Sequence, residues 1–341
     1  FLDGMGSGPY ICKEMVVDNH AYYTLDEDWW GYEEYGADMF KELNCYVYKD
    51  QTTMAVDMET GKIDIALDCS MQDGTRAYNG EMGDRVALGL APQNACWDIV
   101  FSPTSERTKD INVRKAIACC IDPETLEQAT FGNLFGEVST SIIPTGCDGG
   151  YVEPDVIAQY YSYDLGKAAE FLTAAGYGPG ELTVQLLVET SAISSNLAEM
   201  VQAQLAEGNI NCEITVADMQ SFSNYLDGSN AYDMIIQHGQ DNGTASGYSA
   251  VMNLSNPRFS EFNLENYGEY ASLIDKCKTE VDPVKRDEYL KEFVEYGAQE
   301  CLWVSLFDYS SAYLYNPKII DIDNSYIPSI QTLNMTQVSS F

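Results

Sequence analysis

Positive charge is scarce in this sequence. It has 18 lysine and arginine residues against 53 aspartate and glutamate residues, a formal net charge of -35 at pH 7. Nucleic-acid binding needs a basic surface against the phosphate backbone, so the composition argues against it. The same charge repels anionic lipids, and no apolar run approaches the roughly 20 residues of a membrane span.

Histidine and catalytic motifs are also scarce. His20 and His238 are the two histidines, which leaves little material for a histidine-based triad or a metal cage. The sequence has no nucleophile-elbow, phosphate-loop or metalloprotease pattern. The glycines of GMGSG at 4–8 follow no strand and precede Pro9, which argues against a dinucleotide loop. We therefore expect no catalytic residue, no cofactor and no metal site.

The ten cysteines form no C-x-x-C pair and no cluster with histidine at metal-ligand spacing. Several lie inside apolar runs, such as NACWDIVF at 94–101 and QECLWVSLF at 299–307, where cysteine packs as a small hydrophobe. We favour reduced core cysteines. One or two disulfides are the alternative, and their pairing cannot be deduced from the sequence.

The first hundred residues predict mixed strands and helices, which indicates an α/β layer. Two strands, ICKEMVVD at 11–18 and HAYYTLDED at 20–28, are joined by a turn at Asp18-Asn19. TTMAVDMETG at 52–61 predicts a short helix closed by Gly61.

Helix signals become clear after residue 109. Asp110 or Asn112 can cap a helix that carries Val113, Ile117 and Ile121 on one apolar face, with Arg114 and Lys115 on a different face. Asp122 caps the next helix, with Pro123 at its first position.

From residue 163 onward strands and helices alternate. The strands ELTVQLLVET at 181–190, NCEITVAD at 211–218 and YDMIIQHG at 232–239 predict a largely parallel sheet covered by helices. Ligands bind beyond the carboxyl ends of such strands, so we expect contacts in QDNGTASGYSA at 240–250. CLWVSLFDYSSAYLYN at 301–316 predicts a hairpin-like pair of strands.

Several segments, taken in order, carry a family resemblance: GSGPYICKE at 6–14, DEDWWG at 26–31, TTMAVDMETGKIDIAL at 52–67, INVRKAIACCIDPETL at 111–126, AAEFLTAAGYGPGELTVQLL at 168–187, AQLAEGNINCEITVADMQSFSNYL at 203–226 and YDMIIQHG at 232–239. The sequence resembles the extracellular solute-binding proteins of peptide and nickel ABC importers, which include the oligopeptide- and dipeptide-binding proteins. The resemblance covers almost the whole chain.

The resemblance implies a periplasmic-binding-protein-like two-lobe α/β fold of type II, cluster C. Residues 1–104 with 309–341 would belong to lobe I, and residues 105–308 would form the second lobe. Because GSGPY lies well inside family members, the resemblance also implies a C-terminal portion of such a protein, with the N-terminal part of lobe I absent.

The resemblance further implies a binding function without catalysis. Such a protein captures a small peptide or similar amine-bearing solute between its lobes and delivers it to the permease subunits of an ABC importer. It is exported by a bacterium and is extracellular, cell-surface-anchored or periplasmic. Its contact with the membrane would be an N-terminal lipid anchor that this chain does not include. A hydrolase built on a related lobe is the less favoured alternative.

Site residues follow from one motif of the resemblance. In peptide-binding members an aspartate in a G-W-x-A-D pattern meets the amino terminus of the peptide. Asp241 stands at the aspartate position here, and His238 stands where tryptophan is usual, followed by Gly239. Asn94 and Trp97, from the hinge strand, are the other ligand-facing candidates. The histidine favours alternative ligands: an oligosaccharide, a nickel chelate, haem or a signalling peptide.

Each candidate also has an interpretation without a ligand. His238 fits a core histidine whose polar atoms are satisfied, and Asp241 fits a turn or helix-cap residue. Trp97, like Trp29, Trp30 and Trp303, fits either core filling or a stacking wall.

Overall fold

The structure is a computed structural model. It describes residues 6–37, 39–67, 69–91, 95–139, 141–147, 149–222, 232–240 and 267–322, and the short segments 326–327, 332–333 and 338–340. The chain divides into two compact units. Unit 1 is Phe1–Pro92 with Ser311–Phe341, and unit 2 is Gln93–Ser310.

Unit 1 combines short antiparallel strands with helices. Its elements are β1 (Tyr10–Val16), β2 (His20–Leu25), α1 (Tyr32–Tyr35), β3 (Glu42–Tyr46), α2 (Gln51–Thr60), β4 (Ile65–Ala66), α3 (Met71–Tyr78), β5 (Ala87–Leu90), β12 (Ala312–Tyr315), β13 (Ile320–Ile322), β14 (Tyr326–Ile327), β15 (Thr332–Leu333) and β16 (Val338–Ser340). One sheet has the order β1-β2-β3 and another the order β4-β12-β5. β13 pairs with β16, and β14 pairs with β15.

The hairpin predicted at Asp18-Asn19 is confirmed. β1 and β2 pair antiparallel, with Val16 opposite His20. Asp18 has a φ of 59°, the left-handed conformation that aspartate adopts more readily than most residues.

The helix predicted at 52–61 is also confirmed. The carboxylate of Asp50 accepts a hydrogen bond from the backbone N–H of Thr53 at 2.7 Å, which satisfies an otherwise unpaired donor in the first turn of α2. Gly61 follows the helix with a φ of 81°, a conformation that glycine adopts without a steric penalty.

Unit 2 contains one large mixed sheet with helices packed on it. Its elements are β6 (Ala95–Phe101), α4 (Ile111–Cys120), α5 (Pro123–Thr130), α6 (Gly132–Phe135), β7 (Gly136–Val138), α7 (Pro154–Ile157), α8 (Leu165–Ala174), β8 (Thr183–Glu189), α9 (Ala192–Glu207), β9 (Asn211–Ala217), β10 (Met234–Gln240), α10 (Tyr267–Thr279), α11 (Pro283–Gln299) and β11 (Trp303–Tyr309). The strand order is β7-β11-β6-β10-β8-β9.

The parallel sheet predicted from residue 163 onward forms half of this larger sheet. β9, β8 and β10 pair in parallel as expected. β6, β11 and β7 extend the sheet with antiparallel pairs. Every residue of β6 is buried. This burial explains why the residues of β6 other than Asp98 are all apolar and do not alternate with polar ones.

Arg114 is buried, which the sequence pattern does not indicate. It lies away from the apolar stripe of α4, as expected, yet its side chain points into the protein with 1% of its surface exposed. Its guanidinium donates to the carbonyl oxygens of Glu300 at 2.6 Å, Thr108 at 2.7 Å and Cys301 at 3.0 Å. Because Glu300 caps α11, the cation lies at the negative end of that helix and joins it to the segment before α4.

The hairpin predicted at 301–316 is wrong. β11 and β12 are consecutive strands, but they belong to different sheets: β11 pairs with β6 and β7, and β12 pairs with β4 and β5. The chain also passes from unit 2 to unit 1 between them, at Ser310 and Ser311. Two apolar runs with a short connection cannot by themselves reveal this, because strand pairing depends on distant residues.

The two compact units differ from the two predicted lobes in the assignment of β6. The lobe boundaries at 104 and 309 assign β6 to lobe I, whereas β6 lies in the compact unit that begins at Gln93. The assignment of functional lobes stays a prediction.

Cysteines contribute to the cores of both units. Cys69 in unit 1 and Cys96, Cys119, Cys120, Cys277 and Cys301 in unit 2 are buried. Burial raises the pKa of Cys120, Cys277 and Cys301 to about 12 each, so these thiols stay protonated and unreactive. Core packing is therefore confirmed for these six residues.

Candidate functional site

The candidate site lies in unit 2, where several strands of the large sheet end together. The parallel strands β8 and β10 end at Glu189 and Gln240. Gln240 lies opposite Ala95, the first residue of β6, and Tyr309 at the end of β11 lies opposite the same residue. The carboxyl ends of β8, β10 and β11 therefore face one edge of the sheet, the kind of edge at which α/β proteins bind ligands.

Trp97 and His238 form a pair near this edge. They are direct partners across β6 and β10, so their side chains leave the sheet on the same face. Their ring centroids are 4.9 Å apart with an interplanar angle of 39°. Sheet pairing thus brings together two of the five predicted ligand residues, although they are 141 positions apart in the sequence.

Trp97 is almost fully buried, with 4% of its surface exposed. Its indole Nε1 has no hydrogen-bond acceptor within the part of the chain that the structure describes. A buried N–H usually finds a protein, water or ligand acceptor. Trp97 therefore packs in the core, which agrees with one of its two interpretations from the sequence. Its indole N–H also remains a hydrogen-bond donor without an acceptor among the described residues, close to the strand ends.

His238 retains solvent exposure while packing against Trp97. Desolvation by the surrounding protein lowers the pKa of His238 below its ordinary value, and the carboxylate of Glu189 opposes this shift. The imidazole is therefore mainly neutral at pH 7. A neutral ring has one nitrogen that can accept a hydrogen bond or bind a metal ion.

The other predicted ligand residues divide between described and undescribed parts of the chain. Gly239 lies within β10, opposite Cys96. Asp241 and Asn94 lie outside the described residues, as does the segment 241–250 in which we expect ligand contacts. Their roles stay predictions.

Sequence reasoning missed an aromatic pair at the same end of the sheet. Phe131, between α5 and α6, stacks on Tyr309 with centroids 5.0 Å apart and an interplanar angle of 3°. Phe131 also meets the ring of Phe307 edge-on at 5.5 Å. The i, i+2 spacing of Phe307 and Tyr309 in β11 was the available signal, because alternate residues of a strand share a face.

A separate cavity of about 610 Å³ lies in unit 1. It is lined mainly by β3, the start of α2 and the segment Ile63–Leu67 around β4. None of the predicted ligand residues lines it.

The described ranges have neither a metal-binding cluster nor a membrane-spanning helix. They contain no group of three or more histidine, cysteine, aspartate or glutamate residues arranged to hold a metal ion. No helix among them is long and apolar enough to cross a membrane.

Comparisons with known proteins define the family. Residues 3–260 match the bacterial extracellular solute-binding proteins, family 5 Middle. The glutathione-binding protein GsiB of Escherichia coli strain K12 is 23% identical over 315 residues, which cover 89% of this chain and 58% of that protein. The chain thus spans less than two thirds of the length of this relative.

Two solved structures show the fold. NikA from Brucella suis, in complex with Fe(III)-EDTA, superposes with a TM-score of 0.79 at 20% identity over 98% of this chain and 68% of its own. DppA from Helicobacter pylori, in complex with the peptide STSA, has a TM-score of 0.71 at 17% identity over 98% and 63% of the two chains. The fold is therefore the predicted two-lobe α/β fold of periplasmic-binding-protein type, and the chain belongs to the bacterial extracellular solute-binding proteins of family 5.

Proposed function

We propose that this protein acts as the substrate-binding component of an ABC importer. It captures a small peptide or similar amine-bearing solute between two lobes and delivers it to the permease subunits at the membrane. The observation that carries the proposal is the family match, which runs through β10 and the residues that follow it.

Two relatives support the ligand class. GsiB is named for binding glutathione, a tripeptide with a free amino group, and DppA was solved with the peptide STSA. Both ligands combine an ammonium group with carboxylates and peptide bonds. A protein with a net charge of -35 favours cationic groups in its ligand over additional anionic ones.

Asp241 is the residue we propose to bind the ammonium group. In the sequence it comes directly after Gln240, and Gln240 ends β10 at the edge where β8 and β11 also end. A carboxylate that meets an ammonium group away from bulk water forms a charge-assisted hydrogen bond, which is stronger than a bond between neutral groups. Trp97, with its unused indole N–H, and His238 would line the same edge.

Calorimetric titration of the full-length gene product tests this role. Asp241→Ala should weaken the binding of a small peptide with a free amino terminus by about tenfold or more, because a hydrogen bond to a charged group contributes about 1.5–3 kcal/mol. Glu170→Ala is the matched control, since Glu170 is an exposed carboxylate on α8 and its loss should leave the affinity unchanged. Equal affinity of Asp241→Ala and the unchanged protein would remove Asp241 from the site.

A chelated metal is the second candidate ligand. The observation that favours it is the neutral, solvent-exposed imidazole of His238, because a neutral histidine nitrogen is a common metal ligand. NikA, solved with Fe(III)-EDTA, shares this fold. A thermal-shift screen that compares peptides, sugars, haem and nickel-histidine complexes separates the two candidates. A shift with the nickel complex that His238→Gln abolishes would favour the second one.

The proposal includes no catalysis. The family matches are named as binding proteins. Mass spectrometry of the ligand after overnight incubation should recover it unchanged.

We also propose export and lipid anchoring of the full-length protein, which acyl labelling of the bacterial membrane fraction would test.

A further inference from the structure

Two aspartates are buried in the interior of unit 2 on neighbouring strands. Asp98 of β6 and Asp308 of β11 each expose 1% of their surface. Asp98 lies opposite Ser305, and Asp308 lies opposite Cys96, on either side of an irregularity in β11 between Ser305 and Phe307. The register therefore places both carboxyl groups, which we call the acid pair, on the same face of the sheet.

One oxygen of each carboxyl group in the acid pair accepts hydrogen bonds, and the other has no donor among the described residues. The thiol of Cys96 donates to Oδ2 of Asp98 at 3.1 Å, and the backbone N–H of Thr145 donates to Oδ2 of Asp308 at 2.8 Å. Oδ1 of each carboxyl group is buried and has no partner among the described residues. Each group therefore has an oxygen that ionisation would leave buried, charged and unpaired.

The charge of Glu137 on β7 makes ionisation of Asp308 still less favourable, and the charge of Asp308 does the same for Asp98. Nearby hydrogen-bond donors oppose this in part, the Cys96 thiol and the Ser305 hydroxyl at Asp98 and Ser139 and Thr145 at Asp308. Tyr161, after α7, is neutral because burial raises the pKa of its hydroxyl group. β10 contributes the uncharged Gln237 opposite Asp98, whereas His238 lies on the other face of the sheet. No described lysine, arginine or histidine forms an ion pair with either carboxyl group.

The strands that carry the acid pair are also the strands next to the two chain crossings between the units. The chain enters unit 2 at Gln93, just before β6, and leaves it at Ser310, just after β11. β6 and β11 are neighbouring strands inside the sheet, and six registered positions join them. A change in the charge of the acid pair therefore alters how strongly β6 pairs with β11.

We propose that the acid pair is a proton-dependent latch: protonated, it holds β6 against β11, and ionised, it weakens their pairing and the packing of unit 2. Protonation gives each carboxyl group an O–H donor and removes the repulsion between two buried negative charges. This proposal concerns unit 2 alone and is independent of the ligand that the protein binds.

The expected pH dependence follows from the sign of the shifts. Burial, and for Asp98 also the charge of Asp308, raises the pKa of Asp98 to about 8, and burial raises the pKa of Asp308 to about 7. An unfolded aspartate has a pKa of about 3.9. The folded protein therefore binds more protons than the unfolded chain between about pH 4 and pH 8, and its stability falls as the pH rises through this window.

Thermal unfolding, followed by circular dichroism of the full-length gene product from pH 5.5 to 9, tests the latch. We expect the midpoint to fall on the order of 5 °C across this range. The double variant Asp98→Asn/Asp308→Asn carries neutral side chains of nearly the same shape, so its midpoint should vary much less with pH. Asp155→Asn, an exposed residue of α7, should keep the pH profile of the unchanged protein. A double variant with the full pH dependence would overturn the proposal.

A second measurement does not require a variant to fold. In protein labelled with ¹³C at the aspartate carboxyl carbons, two resonances should titrate above about pH 6, well above the ordinary aspartate pKa of about 3.9. If all aspartate carboxyl resonances titrate below about pH 5, both groups are ionised at neutral pH and the latch does not exist.

Discussion

The sheet β1-β2-β3 of unit 1 and the six-stranded sheet of unit 2 differ most in burial. No residue of β1, β2 or β3 is buried, whereas all of β6 and all but the last residue of β11 are buried. In the β1-β2-β3 sheet, which we call the open sheet, a polar side chain is solvated and reveals little about function. In the buried sheet a polar side chain must be hydrogen-bonded or neutral, so each one calls for an explanation. Asp98 and Asp308 in this sheet, and the buried Arg114 on helix α4, each have such an explanation, and each explanation can be tested.

The largest effect is expected at Arg114. Arg114→Met removes the donors that satisfy the carbonyl oxygens of Thr108, Glu300 and Cys301, so we expect the free energy of unfolding to fall by about 3–5 kcal/mol. Urea denaturation followed by tryptophan fluorescence measures it. Lys115→Met, at the next and half-buried position, should cost less than about 1 kcal/mol. A similar small loss for both variants would contradict the capping role of Arg114.

A matched pair of substitutions tests the difference in burial directly. Ile99→Ala in β6 removes a side chain with no exposed surface and should cost about 2–5 kcal/mol. Ile11→Ala in β1 removes a side chain that is 38% exposed and should cost less than about 1 kcal/mol. The same urea titration measures both. Equal losses would show that another surface covers the open sheet in solution.

The smallest expected effects are local and should be the same in both units. Asp50 caps α2 in unit 1, and Asp282 caps α11 in unit 2 by accepting from Val284 and Lys285. Replacing either aspartate with alanine should cost about 1 kcal/mol, because the lost hydrogen bond is confined to one helical turn. Differential scanning calorimetry would compare them. A large difference between the two variants would mean that capping depends on tertiary context here.

Local chemistry explains what the sequence predicted well. The cap of α4 at Asp110, the closure of α2 by Gly61 and the turn at Asp18 each depend on residues within a few positions. The parallel strands β8, β9 and β10 were also predictable, since a β-α-β order permits few topologies.

Contacts between distant residues explain what the sequence did not predict. The separation of β11 from β12, the buried position of Arg114 and the acid pair all depend on pairings more than a hundred residues apart. The candidate site shows the same division. His238 and Trp97 were selected individually, but their contact follows from the antiparallel register of β6 and β10.

We propose that this family 5 protein binds an amine-bearing solute through Asp241, the residue after β10. The most direct measurement is calorimetric titration of the full-length gene product with a short peptide and with its N-acetylated copy. We predict saturable binding of the free peptide and binding at least about tenfold weaker for the acetylated peptide, because acetylation removes the ammonium group that Asp241 would bind. Two results would contradict this proposal. One is equal binding of both peptides. The other is binding of a nickel chelate by a protein that binds neither peptide.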